Sequence, residues 1–194
     1  FPLRLAWEYR CAQPPSPAWP EPARTNYAIL YGPLQATLTF DRAFHVVASA
    51  GAVYFGSSSE DAVYCLDAAT GAVRWRFVTE GPVRLPPALY QGLLLAGSDD
   101  GYLYALEAGT GKLRWKYRAG EADKRLPGNG RMISLWPVRG GLVVDAGLVY
   151  FTAGLFPDHG VYLCALQAAR GEPVFQRPLE FTSQGTMLAS STQL

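Results

Sequence analysis

An internal repeat is the feature that most constrains the fold of this 194-residue chain. Residues 51–79 and 92–118 share one pattern, and Trp75 in the first copy recurs 40 residues later as Trp115 in the second. A longer and more divergent third copy occupies 147–176. Self-similarity at this period is typical of folds that are built from repeated supersecondary units.

Each copy alternates apolar and polar residues with a period of two, which predicts half-buried β-strands. In the second copy the predicted strands lie at about 85–90, 92–97, 102–107 and 112–118. Glycine recurs in the turn before the last strand, where a positive φ is expected. A four-stranded unit of this size cannot bury both faces alone, so neighbouring units are expected to stack radially.

The segments LDAATGAVRW (66–75) and LEAGTGKLRW (106–115) resemble the repeat signature of pyrroloquinoline-quinone (PQQ)-type propellers. That resemblance implies an all-β fold, a β-propeller of four-stranded antiparallel blades. The chain would hold about three blades of a parent that has about eight. It also implies that Trp75 and Trp115 dock between blades, with Gly71 and Gly111 in the repeated turns; in the third copy Phe175 takes the tryptophan position.

The repeat boundaries divide the chain into segments, because LAWEYR at 5–10 matches the end of each copy. The predicted segments are the last strand of a preceding blade (1–10), a Pro-rich inter-blade loop (11–43), a blade (44–79), a second blade (80–118), an inserted loop (119–139), a third blade (140–179) and the start of the next blade (180–194).

Composition excludes several function classes. The net charge is +1, so no global field favours nucleic acid or an anionic membrane. No apolar run reaches the roughly 18–20 residues of a membrane helix. The three cysteines include no CxxC pair, and Cys65 and Cys164 are expected to be buried free thiols. The cysteine pattern does not distinguish an oxidising from a reducing compartment.

Strand direction predicts where binding residues gather. Antiparallel strands alternate, so the turns between strands 1–2 and 3–4 share one face, and the long segments 11–43, 119–139 and 154–160 share the other. Pro-Val-Arg recurs at 82–84 and 137–139, which predicts arginines near the mouth of a central channel on this second face. The candidate ligand-binding residues are Arg42, Arg84, Arg125, Arg131, Trp136 and Arg139.

Convergent guanidinium groups favour a ligand that carries carboxylate or phosphate. The alternative is structural ion pairing with acids on the same face, namely Asp41, Glu60, Asp61, Asp99 and Asp100. Trp136 is expected to anchor its loop rather than stack on a ligand. No metal site is predicted, because two consecutive acids in a tight turn supply too few oxygens for calcium and the two histidines show no ligand spacing.

The resemblance leaves open three kinds of function, and no catalytic residue is recognised. The favoured interpretation is a non-catalytic binding or scaffold module of a larger exported bacterial protein, with no cofactor and no nucleic acid. It would bind a protein partner or a small anionic ligand on the long-segment face. The second is a PQQ-dependent alcohol or sugar dehydrogenase with PQQ and calcium, and the third is an accessory propeller fused to another enzyme. The resemblance implies a periplasmic, secreted or cell-envelope location.

Overall fold

A computed structural model describes residues 4–18, 41–128 and 130–188, and its regular structure is almost entirely β. Three antiparallel four-stranded sheets, each in chain order, form three propeller blades. Blade 1 contains β1 (Val46–Ser49), β2 (Ala52–Ser57), β3 (Ala62–Asp67) and β4 (Val73–Val78). Blade 2 contains β5 (Ala88–Tyr90), β6 (Leu93–Gly97), β7 (Tyr102–Glu107) and β8 (Leu113–Arg118). Blade 3 contains β11 (Val143–Asp145), β12 (Leu148–Ala153), β13 (Val161–Gln167) and β14 (Pro173–Leu179).

The structure differs from the predicted strand pattern in several places, and residues 4–10, predicted to belong to the last strand of a preceding blade, contain no strand. Strand β5 begins only at Ala88, because Pro86 and Pro87 cannot donate a backbone hydrogen bond to the ladder. The segment 119–139, predicted as a loop, contains a separate hairpin of β9 (Arg125–Gly128) and β10 (Arg131–Ser134). A short 3₁₀ turn, Pro157–His159, lies in the loop between β12 and β13.

The aromatic residue of each repeat packs against the turn glycine of the next copy. A Cβ on Gly71 would lie 2.5 Å from the ring of Trp7, and one on Gly111 would lie 2.6 Å from the ring of Trp75. Trp115 meets Gly171 in the same way. Each of these glycines also has a backbone φ between 71° and 73°, a conformation that residues other than glycine rarely adopt. The glycine therefore serves both the turn and the junction between blades.

Apolar clusters run across both blade junctions. One joins Val63, Cys65 and Trp75 of blade 1 to Leu94 and Tyr104 of blade 2. A second joins blades 2 and 3, and a third covers the outer flank of blade 1 with Trp7, Tyr9 and Cys11. The cysteines are free, and Cys65 and Cys164 are buried.

Parts of the predicted terminal segments cannot be compared with the structure. Of the Pro-rich loop 11–43, residues 19–40 lie outside the described residues. The same is true of 189–194 in the predicted start of a following blade, and of 1–3. The described residues include no helix that is long and apolar enough to cross a membrane.

Candidate binding face

The long segments meet the loops between the second and third strands of the blades, and we call this side of the stack the long-loop face. The Ser16 amide donates to Ser58 Oγ in the β2–β3 loop (2.9 Å). Trp136 Nε1 donates to the His159 carbonyl in the β12–β13 loop (2.9 Å). The opposite side, with the turns between strands 1–2 and 3–4, is the short-turn face.

Asp99, in the β6–β7 loop, joins two of the predicted arginines. Arg139 donates from Nε to Asp99 Oδ1 and from Nη2 to Oδ2, both at 2.8 Å. Arg84 donates from Nε to the same Oδ2 (2.7 Å). The three side chains are 1–3% exposed. Val83 and Val138 precede the two arginines, and each packs on a glycine of the preceding blade, Gly56 or Gly97.

A second carboxylate balances the charge of this cluster. Arg84 Nη1 donates to Asp41 Oδ2 (2.8 Å), which also accepts from the Ala18 amide (2.6 Å). Burial alone would raise the pKa of Asp99, but Arg139 and Arg84 outweigh it and hold that pKa below its usual value. Two guanidinium groups thus face two carboxylates in a buried network, and an anionic ligand would have to displace a carboxylate to bind there.

The neighbouring acid, Asp100, has a different role. It is 4% exposed and accepts hydrogen bonds from Tyr104 Oη (2.6 Å) and from the amides of Glu80 and Tyr102 (both 3.0 Å). Burial raises its pKa despite these donors. Asp100 therefore holds the blade 1–2 connection against the β6–β7 loop.

Arg125 and Arg131 lie on the hairpin and are partly exposed, at 33% and 28%. Arg125 pairs with Glu80 (2.6 Å) and Asp123 (3.2 Å). Arg131 pairs with Asp61 and donates to the Ser59 carbonyl (2.8 Å). These two arginines are separate from the Asp99 cluster and belong to the accessible part of the face.

The remaining two predicted residues occupy different environments. Arg42 lies on the surface, and its neighbour Asp41 is the residue that contacts Arg84. Trp136 is 4% exposed, and its ring packs so closely on Gly120 that a Cβ there would clash with it. A buried ring of this kind anchors the loop. A ligand-binding role for the six residues stays a prediction.

Exposed apolar side chains are the part of this face that sequence reasoning missed. Among the described residues, the exposed methionine and phenylalanine side chains are Met132 (53%), Phe156 (42%) and Phe181 (62%). Met132 and Phe156 lie in two of the long segments, and Phe181 lies in the connection that follows β14. Thr182 Oγ1 donates to the Leu155 carbonyl (2.6 Å), which brings the neighbours Phe156 and Phe181 into one region. The signal in the sequence was an apolar residue inside a Gly- and Pro-rich loop.

Comparison with known protein families shows which family the chain belongs to. The family model described as outer membrane protein assembly factor BamB matches residues 33–194. The chain belongs to this PQQ-type repeat family. No curated protein matches the chain.

Solved structures agree on the propeller fold of this BamB-type chain. BamB from Moraxella catarrhalis is 24% identical, with a TM-score of 0.56 over 77% of this chain and 40% of that one. Quinohemoprotein alcohol dehydrogenase from Comamonas testosteroni is 25% identical, with a TM-score of 0.57 over 69% of this chain and 20% of that one. The chain thus spans two fifths or less of either relative.

The acids of the Asp99 cluster do not suit the calcium that the dehydrogenase interpretation implies. Calcium needs six to eight oxygen ligands, whereas Asp41 and Asp99 are already held by guanidinium groups, which repel a cation. Across residues 4–18, 41–128 and 130–188, no three His, Cys, Asp or Glu side chains form a possible metal site. Arg84 and Arg139, which could meet quinone carboxylates, are buried and paired.

Proposed function

We propose that this chain is part of a non-catalytic propeller scaffold that binds another protein on its long-loop face. The observation that carries the proposal is the distribution of Met132, Phe156 and Phe181, which lie in segments of that face and are exposed. Methionine and aromatic side chains are enriched at protein interfaces, where a few buried residues supply most of the binding energy. The partly exposed Arg125 and Arg131 would contribute a charged rim.

Family membership supports this assignment. The family description names an outer membrane protein assembly factor, so we infer that the parent protein acts in the bacterial cell envelope and that its partner takes part in outer membrane protein assembly. The buried Arg84–Asp99–Arg139 network would then maintain the shape of the face rather than bind a ligand. The short-turn face has only minimal turns, and the turns of blades 1 and 2 are closed by their own side chains, as in the pair Arg74–Asp67 (2.6 Å).

Site-specific photo-crosslinking tests the proposal. A photoreactive residue at Met132 or Phe156 should crosslink a protein partner in cells. Val73 and Val174 are matched controls, because they are 48% and 50% exposed at the other end of the blades. Met132→Asp and Phe156→Asp should each weaken recovery of the same partner by about tenfold, whereas Val174→Asp should not. Equal crosslinking from both faces would contradict the proposal.

The dehydrogenase alternative rests on the likeness to the Comamonas testosteroni enzyme. Thermal unfolding of the purified protein with PQQ, with and without calcium, separates the two functions. A scaffold should show no saturable shift of Tm at cofactor concentrations well above micromolar. A saturable, calcium-dependent rise, followed by dye-linked alcohol oxidation, would overturn the scaffold assignment, since a ligand that binds only the folded state must stabilise it.

A further inference from the structure

The hairpin β9–β10 is separate from the three blades. It forms a two-stranded sheet of its own, inserted between β8 of blade 2 and β11 of blade 3. The hairpin is additional to the four strands of each blade. We therefore consider which parts of the long-loop face it contacts.

One end of the hairpin is fixed at the junction of blades 2 and 3. The Ser134 amide donates to the Asp99 carbonyl and the Leu135 amide to the Lys124 carbonyl, both at 2.8 Å. Ile133 and Trp136 are 2% and 4% exposed. Buried side chains and backbone hydrogen bonds together make this end a rigid base.

The other end reaches past blade 2 to blade 1. Arg131 pairs with Asp61 and donates to the Ser59 carbonyl (2.8 Å), and both acceptors belong to the β2–β3 loop. Arg125, which is paired with Ser134 at the base, reaches Glu80 in the connection between blades 1 and 2 (2.6 Å). Within the part of the chain that the structure describes, only side chains attach the hairpin strands to blade 1.

These attachments are weak compared with the base. Arg131 and Asp61 are 28% and 33% exposed, so salt screens their attraction. Burial is the largest effect on the pKa of Asp61 and raises it, while the guanidinium of Arg131 lowers it.

We propose that the hairpin Arg125–Ser134 is a salt-sensitive flap, hinged at its buried base and latched onto the blade 1 loop by Arg131. Opening the flap uncovers the loop at 57–61 and displaces the exposed Met132 at the other end of the hairpin. The long-loop face thus has two shapes, and their balance depends on one ion pair. This inference does not depend on a binding partner, because exchange of the hairpin amides reports on it directly.

Hydrogen–deuterium exchange of the intact protein tests the flap. Arg131→Gln should accelerate exchange of the β9 and β10 amides by about two- to five-fold, the range expected for losing a partly exposed ion pair. Raising salt from about 0.05 to 1 M should have a similar effect on the wild type. Asp61→Asn should have a smaller effect than Arg131→Gln, because Arg131 can still donate to the Ser59 carbonyl, and the double variant should match Arg131→Gln. Arg170→Gln is the control, since Arg170 is 72% exposed and pairs loosely with Glu172 (4.0 Å).

Two results would overturn the flap. Exchange in the hairpin could be unchanged by Arg131→Gln and by salt, which would make the hairpin a fixed part of the junction. Alternatively, exchange could rise equally in β6 and β7, which would mean that the variant loosens blade 2 as a whole rather than the flap.

Discussion

The ring of Trp75 contacts the turn of the next blade so closely that a Cβ on Gly111 would lie 2.6 Å from its Cδ2 atom. The same glycine has φ of 73°. A single position thus combines a left-handed turn with a blade-to-blade contact, and it provides the first prediction.

Gly111→Ala should lower the free energy of unfolding by about 2–4 kcal/mol, because it adds a strained backbone conformation to an overpacked junction. Gly109→Ala is the matched control, two residues earlier in the same turn, where an added Cβ meets nothing within 4 Å. The control should change stability by less than about 0.5 kcal/mol. Urea unfolding measures both, and equal midpoints for the two variants would contradict this account of the junction.

The two docking tryptophans should respond differently to Trp→Phe. Trp75 Nε1 donates to the Ala108 carbonyl (3.0 Å), whereas Trp115 Nε1 is buried without a hydrogen-bond partner among the described residues. Phenylalanine already occupies this position at Phe175, so the ring itself fits. Trp75→Phe should therefore cost about 1 kcal/mol more than Trp115→Phe in urea unfolding. A larger cost at Trp115 would show that its indole has a partner in solution.

Asp99→Asn should be strongly destabilising, because it removes one of two carboxylates from a buried network that contains Arg84 and Arg139. The expected loss is about 3–5 kcal/mol, the cost of leaving a buried charge without its partner. Asp158→Asn, at an exposed loop position, is the control and should be close to neutral. A loss below about 1 kcal/mol would mean that water reaches the cluster readily.

Acid should weaken the short-turn face at Asp67. Hydrogen bonds from Arg74 and Thr70 lower the pKa of its carboxyl to about 2. Because the folded-state pKa lies below the unfolded value, the stabilisation is fully present above a pH of about 4 and is lost as pH falls through about 2. Carboxyl chemical shifts give the pKa directly.

Arg74→Gln should raise the pKa of Asp67 towards about 3.9. The internal control is Glu107, whose pKa is lowered by Thr110 and Arg114 of its own blade and should not change in this variant. A shift of both carboxyls would point to a general change in the fold instead of a local contact.

The sequence alone predicted the blades because the turn glycine and the aromatic residue that follows it recur at equivalent positions in each copy. In blade 3 the turn has lost the acid, the threonine and the arginine, with Gln167, Arg170 and Val174 in their places. Its backbone hydrogen bond is unchanged, since Gly171 N donates to Gln167 O at 2.8 Å, the same distance as in the other two turns. The fold needs the glycine, whereas the ionic closure of the turn is optional.

The partners of the arginines could not be predicted. Pro-Val-Arg placed Arg84 and Arg139 at equivalent positions, but Asp99 could pair with both only because the adjacent junctions meet in three dimensions. The hairpin was missed although Asn129-Gly130 is a common two-residue turn sequence, because strands of four residues carry little periodicity. The exposed Phe156 was missed because burial in a loop does not follow from alternation.

The docking of each aromatic residue on the following glycine gives the array a direction, like a polymer with a head and a tail. The junctions at Trp75–Gly111 and Trp115–Gly171 both join the last strand of one copy to the turn of the next, so removing or duplicating one whole copy in the gene would recreate the same junction on both sides. Changes of blade number in whole repeats should therefore be tolerated far better than shifts of a few codons. The connecting segments add separate contacts at the same junctions, such as the ion pair of Arg84 with Asp99, so a copy would have to carry its own connection with it.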